Sequence, residues 1–219
     1  MKTKRNIIRS VDGEGKNHFR VAIFGSARIR KSDKLYKEIY QIARMLGEEG
    51  IDVVTGGGPG LMEAANSGHK SGSKKSKAHS IGLGIILPKA QKYNTSTDYQ
   101  KTFNRFTNRL DKFTLLSNAV VVAPGGVGTM LEFFYTWQLV QVKKISSIPI
   151  ILLGTQWEEL IEWLEKWPLK NKYFTKEDLH SLFLAKDSKE AMKVIDRAYC
   201  EFKTGNVEFC KNYKGYRIA

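Results

Sequence analysis

Hydrophobic positions along this chain fall into two patterns, short apolar runs and stripes at helical spacing. Residues 19–24, 51–55, 80–87, 119–123 and 148–153 are runs rich in Val, Ile and Leu, the form of strands covered on both faces. Between them the period changes to that of helices. Ser32 or Asp33 can cap a helix whose apolar positions are Leu35, Ile39, Ile42, Ala43 and Leu46, with Gly47 or Gly50 ending it. A second helix starts near Leu61 and carries Met62, Ala65 and His69. In a third, Phe103, Phe106, Leu110 and Phe113 or Thr114 mark one face, which leaves Arg105, Arg109 and Lys112 on the others. Helices running to about Gln141, from Trp157 to Trp167 and from Ser188 to about Phe202 complete the set, with a short apolar segment at Leu182, Phe183 and Leu184. Residues 88–100 read as polar loop, and residues 204–219 carry no pattern.

Strand and helix alternate throughout, which argues for an α/β fold built on a doubly wound parallel sheet. No internal repeat stands out and no shift in composition marks a second domain. The expectation is a single domain over residues 1–219, with a core of about 19–203, a basic N-terminal arm over 1–18 and a tail over 204–219.

Composition constrains the partner more than the fold. At 42% apolar and 11% aromatic residues the chain has ordinary globular values. Lys and Arg number 36 against 22 Asp and Glu, a formal charge of +14. That balance fits an anionic partner such as a nucleotide, nucleic acid or acidic lipid, and a lysine-rich surface kept for solubility produces the same number. The densest basic stretch, residues 69–79, contains Lys70, Lys74, Lys75 and Lys77. It joins a helix to a strand and so falls at the amino edge of a parallel sheet, opposite the edge where such sheets bind ligands. It reads as solvated surface, with a nucleic-acid patch as the alternative. Cys200 and Cys210 match no zinc-ligand spacing. The basic start has no signal-peptide core, and no apolar run approaches the roughly 20 residues needed to span a bilayer. A cytoplasmic protein without membrane contact is expected.

Candidate chemistry lies where strands end in small residues: Gly25 and Ser26, the glycine loop over 56–60, and the run Pro124-Gly125-Gly126-Val127-Gly128-Thr129. In a doubly wound sheet these share the carboxyl edge and can line one crevice. Free backbone N–H groups at a loop that opens a helix hold an anion. A dinucleotide fingerprint fails in both loops, because its third glycine would be Glu63 or Leu131. A triphosphate loop fails because no lysine precedes Thr129. What remains is room for one phosphate. Ser67-Gly68-His69-Lys70 looks like a pyridoxal-phosphate lysine motif, but such enzymes need far longer chains.

Glu132 follows among bulky apolar neighbours, where an ionised carboxylate needs a partner. Thr129-x-x-Glu132 also fits a capping box, a purely structural role. Arg109, toward the C-terminal half of the preceding helix, is the candidate cation; the alternative is a solvated helix residue.

Three stretches together resemble the "lonely guy" phosphoribohydrolases, cytokinin-activating enzymes and their bacterial nucleotide-hydrolysing relatives long mislabelled as lysine decarboxylases. These are Phe24-Gly25-Ser26-Ala27-Arg28, the loop Val54-Thr55-Gly56-Gly57-Gly58-Pro59-Gly60-Leu61-Met62-Glu63, and Pro124-Gly125-Gly126-Val127-Gly128-Thr129-Met130-Leu131-Glu132 with Arg109 upstream. The resemblance implies a Rossmann-like fold, a homodimer or larger assembly, and hydrolysis of the N-glycosidic bond of a nucleoside 5′-monophosphate, of AMP or cytokinin-riboside type. By the same resemblance Arg109 and Glu132 are the catalytic pair, and Ser26, Gly58, Gly125, Gly126, Val127, Gly128 and Thr129 bind substrate. No metal or other cofactor is implied, and nucleic acid is not the expected partner. The chain departs from the family at Leu110, where a lysine usually follows the arginine; Lys112 is a nearby substitute. That departure keeps open a non-catalytic protein binding a nucleotide or phosphorylated cofactor on the same scaffold.

Overall fold

The computed structural model describes residues 18–88, 92–205 and 209–218, so residues 1–17 of the expected arm lie outside it. Strands and helices alternate: β1 (Arg20–Phe24), α1 (Lys34–Glu48), β2 (Asp52–Thr55), α2 (Leu61–Gly72), β3 (Ser80–Ile85), β4 (Tyr99–Phe103), α3 (Phe106–Leu116), β5 (Ala119–Val122), α4 (Val127–Gln141), β6 (Ile150–Leu153), α5 (Trp157–Leu164), β7 (Leu182–Ala185), α6 (Ser188–Lys203) and the short α7 (Phe209–Asn212). The strands form a seven-stranded sheet in the order β4-β3-β2-β1-β5-β6-β7. This is the expected Rossmann-like α/β architecture. Two compact units make up the chain, one running through Ile23 and then over Ala27–Asn118, the other combining Phe24–Ser26 with Ala119–Ala219.

In the first unit β1, β2, β3 and β4 pair in parallel. Val21, Ala22, Val53 and Val54 are sealed from solvent, as strands covered on both faces require. Helix α1 buries Tyr36, Ile39, Ile42, Ala43, Leu46 and Gly47, a stripe at helical spacing. Asp33 precedes α1 as expected, but its carboxylate accepts from the Arg30 N–H (2.8 Å) rather than from the helix. Helices α1 and α2 touch backbone to backbone. A Cβ on Gly68 would collide with the Tyr40 main chain, one on Gly72 with that of Arg44, and one on Gly47 would lie 2.6 Å from the His69 carbonyl. Gly68 and His69 therefore belong to a helix crossing, and their likeness to a cofactor-lysine motif is incidental.

Residues 88–100 are not all loop. Tyr99–Phe103 is a strand, paired with β3 from Ile81↔Tyr99 to Ile85↔Phe103. Its side chains alternate between half-buried and exposed, with Lys101 among them, because it is an edge strand with one partly covered face. Phe103 consequently sits on β4, and α3 begins later than the hydrophobic pattern suggested.

In the second unit β5, β6 and β7 pair in parallel, with Val121↔Ile151 and Ile151↔Phe183 in register. The helix expected over 157–167 ends as α-helix at Leu164 and widens into a π turn over Glu165–Leu169, where Pro168 supplies no N–H donor. The patternless tail is ordered where described. Leu184 N–H donates to Tyr216 O (2.8 Å) and Ile218 N–H to Leu182 O (3.1 Å), so the tail lies antiparallel along β7. Phe209 and Tyr213 stack near Phe183 at centroid distances of 5.8 and 6.0 Å. Among the described residues no helix is long and apolar enough to cross a membrane.

Candidate active site

In the first unit the glycine loop after β2 and the first turn of α3 meet at Arg109. The parallel ladder explains how. Val53 N–H donates to His79 O (3.0 Å), and the register continues through Thr55↔Gly82. Two residues on, Gly57 N–H would take the Leu83 carbonyl. Instead Gly57 turns with φ +72° and its N–H goes to Thr55 Oγ1 (2.9 Å). Arg109 Nε donates to Leu83 O at 2.7 Å in its place. A polar carbonyl left by the end of a strand is thus satisfied by a charged donor, and the donor is held by it.

Arg109 is 8% exposed, which excludes the solvated-helix alternative. It also does not lie in the C-terminal half of its helix. Because α3 starts at Phe106, straight after β4, Arg109 falls in the first turn and reaches the carboxyl edge of the sheet without any loop folding back. Its guanidinium carbon lies 4.9 Å from the centre of the Phe113 ring. Room for it depends on Gly56: a Cβ there would sit 2.5 Å from Arg109 Nη2 and 2.6 Å from Met62 Sδ. Leu110, where the family's lysine is expected, is 5% exposed and belongs to the apolar face of α3.

Gly58 is buried in the same loop. Asn94 Nδ2 lies within 3.1 Å of Gly57 O, 3.0 Å of Gly58 O and 2.8 Å of Asn66 Oδ1. Asn66, fully buried, accepts from Thr55 Oγ1 (2.9 Å) and donates to Ser80 Oγ (2.7 Å). These residues were not read from the sequence. The one available signal was Asn66 itself, a polar residue at a buried position of α2.

The last residue of β1, Phe24, belongs with Gly25 and Ser26 to the second unit, as do β5 and the glycine run that follows it. Within that unit the two strand ends are tied: Ala123 N–H donates to Phe24 O (2.9 Å) and Ser26 N–H to Pro124 O (3.1 Å). Helix α4 starts at Val127 with Gly126 as its N-cap, and its first main-chain bond there is Met130 N–H to Gly126 O (3.0 Å). Val127, Gly128 and Thr129 therefore supply first-turn N–H groups that no earlier helical carbonyl can accept. A Cβ on Gly125 would overlap the buried Thr129 side chain, whereas Cβ atoms on Gly126 and Gly128 would meet nothing within 4 Å.

This start overturns the capping-box alternative. A capping box needs Thr129 at the N-cap and Glu132 at the third helical position. Thr129 is itself at the third position and Glu132 lies a turn further in. Thr129, Glu132 and Thr136 instead form a polar stripe along one face of α4, the threonines buried and the glutamate half-buried. Thr136 Oγ1 donates to the Glu132 carbonyl (2.8 Å).

Known proteins agree with this fold. The pyrimidine/purine nucleotide 5′-monophosphate nucleosidase of Escherichia coli (strain K12) is 28% identical over 140 residues, a match covering 61% of this chain and 30% of that protein. Its counterpart in Escherichia coli O157:H7 matches to the same extent. The chain thus corresponds to less than a third of the length of these curated relatives. Among solved structures, the molybdenum cofactor binding protein of Rippkaea orientalis superposes with a TM-score of 0.60 at 20% identity, over 83% of this chain and 98% of that one. The molybdenum cofactor carrier protein of Chlamydomonas reinhardtii does so with 0.60 at 18% identity, over 84% and 99%. At such identities these structures bear on the fold alone. The family model described as "possible lysine decarboxylase" matches residues 62–195, so the chain belongs to that family, the lonely-guy group its glycine motifs resemble.

Proposed function

We propose that the protein is a phosphoribohydrolase acting on nucleoside 5′-monophosphates. The observation that carries this reading is the start of α4: open glycines, unclaimed first-turn N–H groups and a carboxylate on the same helix. Glu132 lies four residues beyond Gly128, about 6 Å along the axis, and helical side chains lean back toward the N-terminus. A phosphate on the N–H groups would then leave its ribose beside the carboxylate. Nucleosidase activity in the Escherichia coli relative supports the same chemistry.

In this reading Gly125, Gly126, Val127, Gly128 and Thr129 hold the phosphate, with Ser26 and Gly58 as further substrate contacts. Glu132 binds the ribose and orients a water molecule. As the C1′–N bond breaks, positive charge develops on the sugar and the carboxylate stabilises it. Water adds to C1′, the departing base carries away a proton, and ribose 5-phosphate remains. Arg109 is the second catalytic group, a fixed cation whose seat is set by Leu83 and Gly56. The phosphate, remote from the bond broken, supplies binding energy for positioning.

Incubation with AMP, GMP, CMP and an isoprenyl-AMP tests this directly, with free base and ribose 5-phosphate as the products to detect. Absence of turnover on all of them would sink the enzymatic reading. The second reading is a non-catalytic protein that binds a nucleotide or phosphorylated cofactor on the same scaffold, which Leu110 in place of the family's lysine favours. It expects tight nucleotide or cofactor binding without release of base. Both readings include a homodimer, supported by Val127, Leu131, Phe134 and Val142, which leave an exposed apolar stripe on α4 and its end.

A further inference from the structure

Strand β3 contains Gly82 and Gly84, although glycine weakens a strand and needs a reason there. The reason is Tyr93. A Cβ on Gly84 would run into the Tyr93 hydroxyl, one on Gly82 would lie 3.3 Å from Tyr93 Cδ1, and one on Gly57 would lie 2.5 Å from the same atom. Glycines from the strand and from the loop after β2 thus form a socket for one aromatic ring. Tyr93 Oη closes it, within 3.0 Å of the Gly84 N–H and 2.9 Å of Thr102 Oγ1. The ring therefore packs on the main chain to either side of Leu83, whose carbonyl holds Arg109.

Asn94, the next residue, works on the loop itself. Its N–H donates to Gly57 O (2.8 Å), and its amide faces the Gly57 and Gly58 carbonyls. In a planar trans peptide the N–H points opposite to the carbonyl. Drawing the Gly57 carbonyl toward Asn94 therefore turns the Gly58 N–H away from it. Asn66 backs the arrangement from the core, joining Asn94 to Thr55 at the end of β2 and Ser80 at the start of β3. Lys70 Nζ to Thr95 O (3.2 Å) and the contact between Ser67 Oγ and Ser96 Oγ (3.1 Å) fasten the same segment to α2.

We infer that Tyr93 and Asn94 are positioning residues: they buckle the segment before β4 onto the glycine loop and β3, and so fix both the Gly58 N–H and the Arg109 guanidinium. The inference rests on the proposed role of Arg109 for its kinetic consequence, but not for its structural one. Arg109 Nε donates to the Leu83 carbonyl, so the guanidinium follows the stretch of main chain on which Tyr93 packs.

The test uses the full chain with Asn94→Ala, Tyr93→Phe and Tyr93→Ala, read in two ways. Phenylglyoxal modification of Arg109, followed by peptide mass mapping against the exposed Arg44 as internal reference, reports how firmly the guanidinium is held. Steady-state kinetics on the nucleotide that the wild type turns over report alignment. Asn94→Ala and Tyr93→Ala are expected to speed Arg109 modification on the order of tenfold by local opening. They should lower kcat by about 10- to 100-fold, with KM changing far less. Tyr93→Phe keeps the ring in its socket and falls between wild type and Tyr93→Ala in both readouts. If Tyr93→Ala does not fold, Asn94→Ala and Tyr93→Phe carry the comparison. Folded variants with wild-type modification rate and wild-type kcat would overturn the inference. A wild type without turnover on any nucleotide would overturn the proposed function instead, and the modification rates would still decide this one.

Discussion

Gly125 and Gly128 flank the start of α4 and lack side chains for opposite reasons. Gly125 is pressed against the buried Thr129, so Gly125→Ala forces a shift in packed structure and should cost about 1–3 kcal/mol of stability by overpacking. Gly128 is helical, and a Cβ there faces open space. Gly128→Ala should therefore keep or raise stability, by up to about 1 kcal/mol through the unfolded state, while raising KM for a nucleoside monophosphate because the methyl intrudes on the phosphate. Urea denaturation and kinetics on the two variants would show the split; equal stability losses would place Gly128 among the packing glycines. Glu132→Gln preserves shape and removes charge, and kcat should fall about 10²- to 10³-fold if the carboxylate stabilises the sugar cation. At this scale the sequence was legible where the motif is local. Gly125 through Glu132 could be found by spacing, but whether Thr129 caps the helix depends on where the helix starts, and Gly126 decided that.

Elements show a different limit. Strands buried on both faces were readable as apolar runs, and each of 19–24, 51–55, 80–87, 119–123 and 148–153 contains a strand of the sheet. The edge strand Tyr99–Phe103 and the tail were not, because their cover comes from long-range partners that leave no period in the chain. The tail makes a prediction. Phe209 is 5% exposed against Phe183 and Tyr213, so Phe209→Ala should cost about 3 kcal/mol. Burial pushes the neighbouring Cys210 thiol up to about 12, whereas Cys200 is exposed. A thiol reagent at pH 8 should thus label Cys200 alone in the native protein and reach Cys210 as well in Phe209→Ala. The α1–α2 crossing makes another. His69 is fully buried, with Nε2 3.0 Å from the Ile51 carbonyl and no partner at Nδ1. Burial lowers its pKa below the ordinary 6.5, against the Ile51 hydrogen bond and the nearby Asp52 and Asp98. The unfolded chain then binds the proton first, so this contribution is complete above about pH 6.5 and is lost as pH falls toward the folded value. Denaturation at pH 7.5 and 5.5 should show wild type losing more stability than His69→Gln. His180, also lowered by burial, remains in both proteins, so the difference isolates His69.

For the whole molecule, net charge proved less informative than the distribution of apolar surface. The basic stretch that suggested nucleic acid is only partly taken up by structure: His69 is sealed in a helix crossing and Lys70 reaches the Thr95 carbonyl, while Lys74 and Lys75, in a 3₁₀ turn before β3, are exposed. Helix α4 shows the stronger signal. Val127, Leu131, Phe134 and Val142 are 87%, 43%, 38% and 56% exposed, and their spacing places them on one side of a helix about 22 Å long. The opposite side carries Phe133, Thr136, Trp137 and Val140 into the core. A helix apolar on both sides is one whose outer face awaits a partner. A second copy of the chain fits, because self-association along such a helix can supply the roughly 800 Å² per partner of a stable interface. Sedimentation at micromolar concentration should then find a dimer, and the double variant Leu131→Glu, Val142→Glu should sediment as a monomer with unchanged far-ultraviolet circular dichroism. A wild type that is monomeric at every concentration would leave the stripe without the partner proposed for it. A dimer untouched by the double variant would move the interface to another face.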